Sequence, residues 1–187
     1  FETSSLFNRK EAYVSPSLAV AHPKLNKEFV VESQWICSGA SVFKTHIFER
    51  YSFPNNFVTY SHNEYLYFSY NLYKKNIGKM LYISEAKYRD LQISSGRLNI
   101  IPLLYQVEVY DLYIFLNLFE QNFHNIMIFL VSRIGHLIYN FLRIIFKKKF
   151  SIKLFFHIIF SILYPLFHLE EIKNNDLSFY ERDFVTN

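Results

Sequence analysis

Hydrophobic and polar positions are distributed unevenly along the chain. From Ile100 to Leu169 apolar runs are long and charges sparse, whereas residues on either side mix charges with Tyr and Asn. Ile126 to Phe146 and Phe150 to Leu169 each have about the 20 residues that a helix needs to cross a bilayer core. Ile100 to Phe119 is as long but less apolar, carrying Glu108 and Asp111. The pattern predicts a mainly α membrane protein with two to three transmembrane helices, including a hairpin over residues 126–169. A small mixed α/β soluble region precedes them. The expected divisions are residues 1–99, with an extended N-terminal arm, the helical region 100–169 and an acidic polar tail 170–187.

Within the first region, Asn26 is positioned to cap a helix running through Glu28, Val31, Trp35 and Cys37 to Ser38-Gly39. Val42 to Phe53 reads as a strand. Glu64 to Tyr73 is dense in aromatics and also favours a strand. Lys74 to Gly78 is a turn signal, after which Lys79 to Ile83 is placed to pair back as a hairpin. Ser84 can cap a short helix that Gly96 stops. Pro16 and Pro23 mark Val14 to Lys24 as the extended arm.

The polar positions inside the apolar segments are ordered. Arg133, His136, Asn140, Arg143 and Lys147 recur at intervals of three and four and share one helix face. Lys149, Lys153, His157, Ser161, Tyr164 and His168 form a second such stripe. The ten steps from Arg143 to Lys153 leave the stripes roughly 80° out of phase on one continuous helix. A break near Lys147–Lys149 is the simplest repair. Arg133 lies too deep in its segment to reach the interface and must face protein or water. Glu108 and Asp111, three apart, are the natural counter-charges for Arg133 or Arg143. Lys147, Lys148 and Lys149 are candidates for a lipid headgroup such as that of cardiolipin.

Charge adds an orientation. The 187-residue chain has a formal net charge of +4. Twelve Lys/Arg against eight Asp/Glu make residues 1–99 basic, while Glu170, Glu171, Asp176, Glu181 and Asp183 outweigh Lys173 and Arg182 in the tail. Three crossings put all the basic material on one side, as the positive-inside rule requires. Composition bears on origin. Phe (21), Tyr (15), Ile, Asn and Lys, with A/T-rich codons, greatly outnumber Gly (4), Pro (5), Ala and Arg. That bias points to an AT-rich genome, nuclear or organellar.

Candidate chemistry is sparse. One cysteine, Cys37, excludes an intrachain disulfide framework and a cysteine-based zinc cluster. His22, His46 and His62 lack helical metal spacing, and there is no phosphate-binding glycine loop. Haem ligation by His136 and His157 is disfavoured, because the two lie about a turn out of register across the hairpin. These features lead to the expectation of a non-catalytic membrane subunit of a large assembly, with other subunits and lipid as partners and no metal, cofactor or nucleic acid. A mitochondrial inner-membrane complex, respiratory or ATP synthase, fits best, with the basic region in the matrix. The alternatives are a haem- or quinone-holding or proton-path subunit and, second, a mitochondrial ribosomal protein.

Overall fold

The computed structural model describes residues 12–21, 30–36, 41–58, 63–83, 85, 99–146 and 151–185. The chain divides into two compact units, one of residues 1–55 with 63–94 and the other of residues 56–62 with 95–187.

In the first unit, β1 (Tyr13–Val14) pairs antiparallel with β2 (Val20–Ala21). Pro16 fits the second position of the connecting turn, which is closed by the Leu18 N–H donating to the Ser15 carbonyl at 2.9 Å. The described part of the expected arm, Val14 to Ala21, is thus a hairpin. The helix expected from Asn26 is also corrected. β3 (Val30–Glu32) pairs antiparallel with β4 (Leu81–Ile83), because the β-branched pair Val30-Val31 suits a ladder. Asn26, Glu28 and Cys37 lie outside the described residues, as do Ser84 and Gly96. β4 therefore pairs with a distant segment and not with the residues just before it.

Glu64 to Tyr73, expected as a strand, belongs to helix α1 (Glu64–Lys74). Glu64 in the first turn and Lys74 in the last complement the helix dipole. The helix buries Leu66, Phe68, Ser69, Tyr70 and Leu72. The Ser69 hydroxyl donates to the Tyr65 carbonyl at 2.6 Å and accepts the Ile36 N–H at 3.1 Å. The expected strand over Val42 to Phe53 is instead a short 3-10 turn at Thr45–Ile47 with irregular flanks. This segment brings aromatic rings to α1. Phe43, Phe48 and Phe53 lie 5.5, 5.8 and 4.3 Å from the Phe68 ring. After α1, Asn76 and Gly78 take positive φ and turn the chain toward β4.

The second unit is helical. α2 (Ile100–Leu118) is its centre, with an almost unbroken run of buried residues from Tyr105 to Phe115. α3 (Phe123–Phe146) and α4 (Ile152–Phe167) follow, then the short helices α5 (Leu169–Lys173) and α6 (Ser178–Phe184). Gln121 donates to the Leu116 and Phe119 carbonyls at the end of α2, and Asn122 caps α3 by accepting the Asn125 N–H at 2.9 Å. α2 and α3 run antiparallel, since Phe115 meets Phe129, Asp111 meets Arg133 and Glu108 meets His136. Ser151 caps α4, and the Phe141 and Phe155 rings, 5.5 Å apart, bring α4 against α3. The residues expected as a polar tail fold back along α2. The Tyr180 hydroxyl donates to the Pro102 carbonyl at 3.1 Å, and the Tyr180 ring meets Tyr110. Tyr110 is also held from the segment before α1. Its hydroxyl donates to the Val58 carbonyl at 2.9 Å and accepts the Val58 N–H at 2.8 Å, while Phe57 stacks on its ring.

Candidate functional site: a buried charge cluster between α2 and α3

The cluster follows from helical spacing. Glu108 and Asp111 are three apart on α2, and Arg133 and His136 are three apart on α3, so antiparallel pairing brings both pairs together. One terminal nitrogen of Arg133, Nη1, donates to Asp111 Oδ2 at 2.6 Å and to Glu108 Oε2 at 3.3 Å. Nε donates to the Ser132 hydroxyl at 3.3 Å, and the guanidinium lies 5.0 Å from the Phe129 ring centre. His136 Nδ1 lies 2.8 Å from the other Glu108 oxygen, where the Nδ1–H tautomer donates to the carboxylate. Both carboxylates are buried and the Arg133 side chain is only 11% exposed.

This arrangement gives α3 one azimuth and one register on α2. Rotating α3 by one residue would strand two carboxylates and a guanidinium away from both water and each other. Arg133 is thus the counter-ion of both acidic residues. Arg143 lies on α3 with its side chain outside the described set, and Lys147, Lys148 and Lys149 lie outside the described residues altogether. Asn140 is half-buried on the same face.

The second stripe does not join this cluster. Lys153 is exposed. His157 Nδ1 is hydrogen-bonded to the Tyr105 hydroxyl at 3.1 Å. Ser161 is buried and bonds the Ile158 carbonyl. Tyr164 donates to Asp183 at 2.7 Å, and His168 lies 3.3 Å from Glu171 and stacks on Phe179. The stripe therefore faces α2 on one side and α5–α6 on the other. Sequence reasoning missed Tyr105, Tyr110 and Asp183 as partners, since each is met across a long separation. Among the described residues no group of three or more His, Cys, Asp or Glu is placed to hold a metal ion.

No family model, curated protein or solved structure matches this chain.

The rest of α3 inverts the usual arrangement of an amphipathic helix. Phe129 is buried and Ser132, Arg133, His136 and Asn140 are half-buried. Met127, Leu130, Val131, Ile134, Ile138, Leu142 and Ile145 are exposed, Ile134 at 57% and Ile138 at 53%. On α4, Phe156, Phe160, Leu163 and Leu166 continue the exposed apolar surface. Among the described residues one helix, over Phe123–Leu142, is long and apolar enough by length and composition to cross a membrane. The apolar stretch of α4, Lys153–Phe167, is shorter. α2, with two carboxylates, is covered by protein over most of its length.

Proposed function

We propose that the second unit anchors a non-catalytic structural subunit in a membrane, as part of a larger membrane assembly. α3 crosses the hydrocarbon core, α4 accompanies it as the shorter arm of a hairpin, and α2 lies behind them in a protein interior. The observation that carries this reading is the inversion of α3. A helix in water buries its apolar stripe and exposes its polar one. Here Arg133 and His136 turn inward onto Glu108 and Asp111 while Ile134 and Ile138 turn outward. That arrangement suits a solvent that cannot hydrogen-bond. The finer part of the proposal rests on sequence alone. The A/T-rich residue bias and the basic first region support a mitochondrial inner-membrane complex, a respiratory complex or ATP synthase, with residues 1–99 in the matrix.

The test is fractionation of native membranes carrying the tagged chain. The expected result is retention in the membrane through alkaline carbonate, followed by co-sedimentation with one large particle after gentle solubilisation. Release by carbonate, or migration with ribosomes, overturns the reading.

A further inference from the structure

The helical unit presents two kinds of surface at one level. Three contacts set α2 against α3: Glu108 with His136, Asp111 with Arg133, and Phe115 with Phe129. In that antiparallel register Tyr110 and Tyr113 of α2 lie level with residues 131–134 of α3, near the middle of its apolar stretch Phe123–Leu142. The turn between α5 and α6 reaches the same level. Phe57 stacks on Tyr110 and meets the Tyr113 ring edge-on at 5.4 Å, and its neighbour Asn56 donates to the Asn175 carbonyl at 3.1 Å. α6 then continues beside α2, where Tyr180 reaches the Tyr110 ring and the Pro102 carbonyl.

On this side the polar groups point outward. Lys173, Asn174, Asn175 and Asp176 are exposed, and the side chains of Glu170 and Arg182 are 79% and 70% exposed. Ile172, Leu177, Phe179 and Tyr180 turn inward and are almost wholly buried. α5 and α6 thus keep the order of amphipathic helices in water, which α3 inverts. The two sides of the unit therefore need different surroundings at one depth.

Hydrocarbon, a protein neighbour and water are the three candidate surroundings of the α5–α6 side. Hydrocarbon is excluded at this depth by the exposed Lys173, Asp176 and Arg182, since charged side chains inside a bilayer face protein or a water-filled cavity. A protein interface is built around buried apolar anchors, and no large apolar side chain between His168 and Phe184 is exposed. Nor is there a one-signed field to recognise a neighbour. Lys173 donates to Glu170 at 3.1 Å, Glu171 lies 3.3 Å from His168, and Asp183 accepts from Tyr164 and Arg182. Exposed pairs of mixed sign belong to a hydrated surface. We infer that the α5–α6 side faces water at bilayer depth and forms one wall of an aqueous recess. The recess admits water, and the small ions that water carries, to the level of the α2–α3 charge cluster. The inference rests on the membrane reading of α3.

The experiment uses the full chain in its native membrane, opened by freeze–thaw so that reagent meets both sides, with Cys37→Ser as background. Asn174→Cys, Arg182→Cys and Ile134→Cys are each labelled with a membrane-impermeant maleimide before and after denaturing solubilisation. Ile134 is exposed on the outward face of α3 at the level of Tyr110, so it shares the depth of the α5–α6 turn but not its surroundings. Asn174→Cys and Arg182→Cys are expected to label within about two-fold of the denatured extent, because a hydrated thiol forms its reactive thiolate. Ile134→Cys is expected to label about ten-fold less in the membrane than after denaturation, because apolar surroundings keep its thiol protonated. In parallel, a benzophenone amino acid is placed at position 174 or at position 134. At position 174 it is expected to give no discrete adduct. Protection of Asn174→Cys and Arg182→Cys overturns the inference, as does a discrete adduct at position 174, whose identity tells a protein neighbour from lipid. The probe at position 134 reports on the underlying reading separately. Lipid adducts there support it, whereas aqueous labelling of Ile134→Cys removes the membrane reading and the recess with it.

Discussion

Helices α1 and α3 are both rich in aromatic and aliphatic residues, yet they turn opposite faces inward. α1 buries Leu66, Phe68, Tyr70 and Leu72 and exposes Lys74. α3 turns Arg133 and His136 inward and exposes Val131, Ile134 and Ile138. In α1 the apolar side chains meet rings from the same unit, Phe43, Phe48 and Phe53. In α3 the inward contacts combine the Arg133 and His136 cluster with apolar ones from Phe129 and Phe141. Apolar content does not distinguish these two helices. The direction of the polar stripe does, because burying charge is costly in any medium and is tolerated only where the charges satisfy each other.

The largest expected effect lies in the inward face of α3. Arg133→Met leaves Glu108 and Asp111 buried without their shared cation and should destabilise the helical unit by about 3–5 kcal/mol. The measurement is denaturant unfolding of the purified chain in micelles. The charge swap Asp111→Arg with Arg133→Asp should recover part of that loss. Wild-type stability in Arg133→Met would mean that the polar face of α3 does not hold it to α2, and the contrast with α1 would lose its foundation.

The matching test on α1 is Phe68→Ala. Phe68 is 2% exposed and is packed by three rings, so its removal should cost about 3–5 kcal/mol. Thermal unfolding followed by near-ultraviolet circular dichroism reads this directly. A change within about 0.5 kcal/mol would place Phe68 among surface positions and remove α1 as the example of an apolar face turned inward.

On the outward face, Ile134→Lys separates the two solvents. In a bilayer it should make insertion of α3 less favourable by about 3 kcal/mol and lower the carbonate-resistant fraction. In water a substitution at this exposed site should be nearly silent, within about 0.5 kcal/mol. The second outcome would make α3 a soluble helix with an uncovered apolar face.

What is legible in the sequence follows the same division. The intervals among Arg133, His136 and Asn140, and the triplet from Glu108 to Asp111, suffice to pair one face of each helix, because helical period is local information. The phase mismatch that calls for a break near Lys147–Lys149 agrees with α3 ending at Phe146 and α4 starting at Ile152, for the same reason. Glu64 to Tyr73 reads wrongly as a strand because near-continuous Tyr, Phe and Leu carry no clean period, and aromatic propensity for strands yields to packing context. Val30-Val31 reads wrongly as helix because its partner, Leu81–Ile83, lies some fifty residues away. The roles of Tyr105, Tyr110 and Asp183 are hidden likewise, each depending on how the chain returns to α2.

The smallest effect sharpens the account of α1. Tyr70 is 8% exposed, stacks near Tyr73, and has its phenol pushed up to about 12, first by burial and then by neighbouring Tyr13 and Tyr73. The neutral form is therefore favoured in the folded unit, while an unfolded chain ionises near pH 10. The stability this group contributes is full below about pH 10 and is lost as pH rises through about 12. Tyr70→Phe should keep the first unit folded further into that window, with the phenolate absorbance of the remaining tyrosines as internal control. If Tyr70→Phe and wild type unfold at the same alkaline pH, then Tyr70 ionises without resistance from its surroundings. α1 would then lack the water-excluding interior that sets it apart from the outward face of α3.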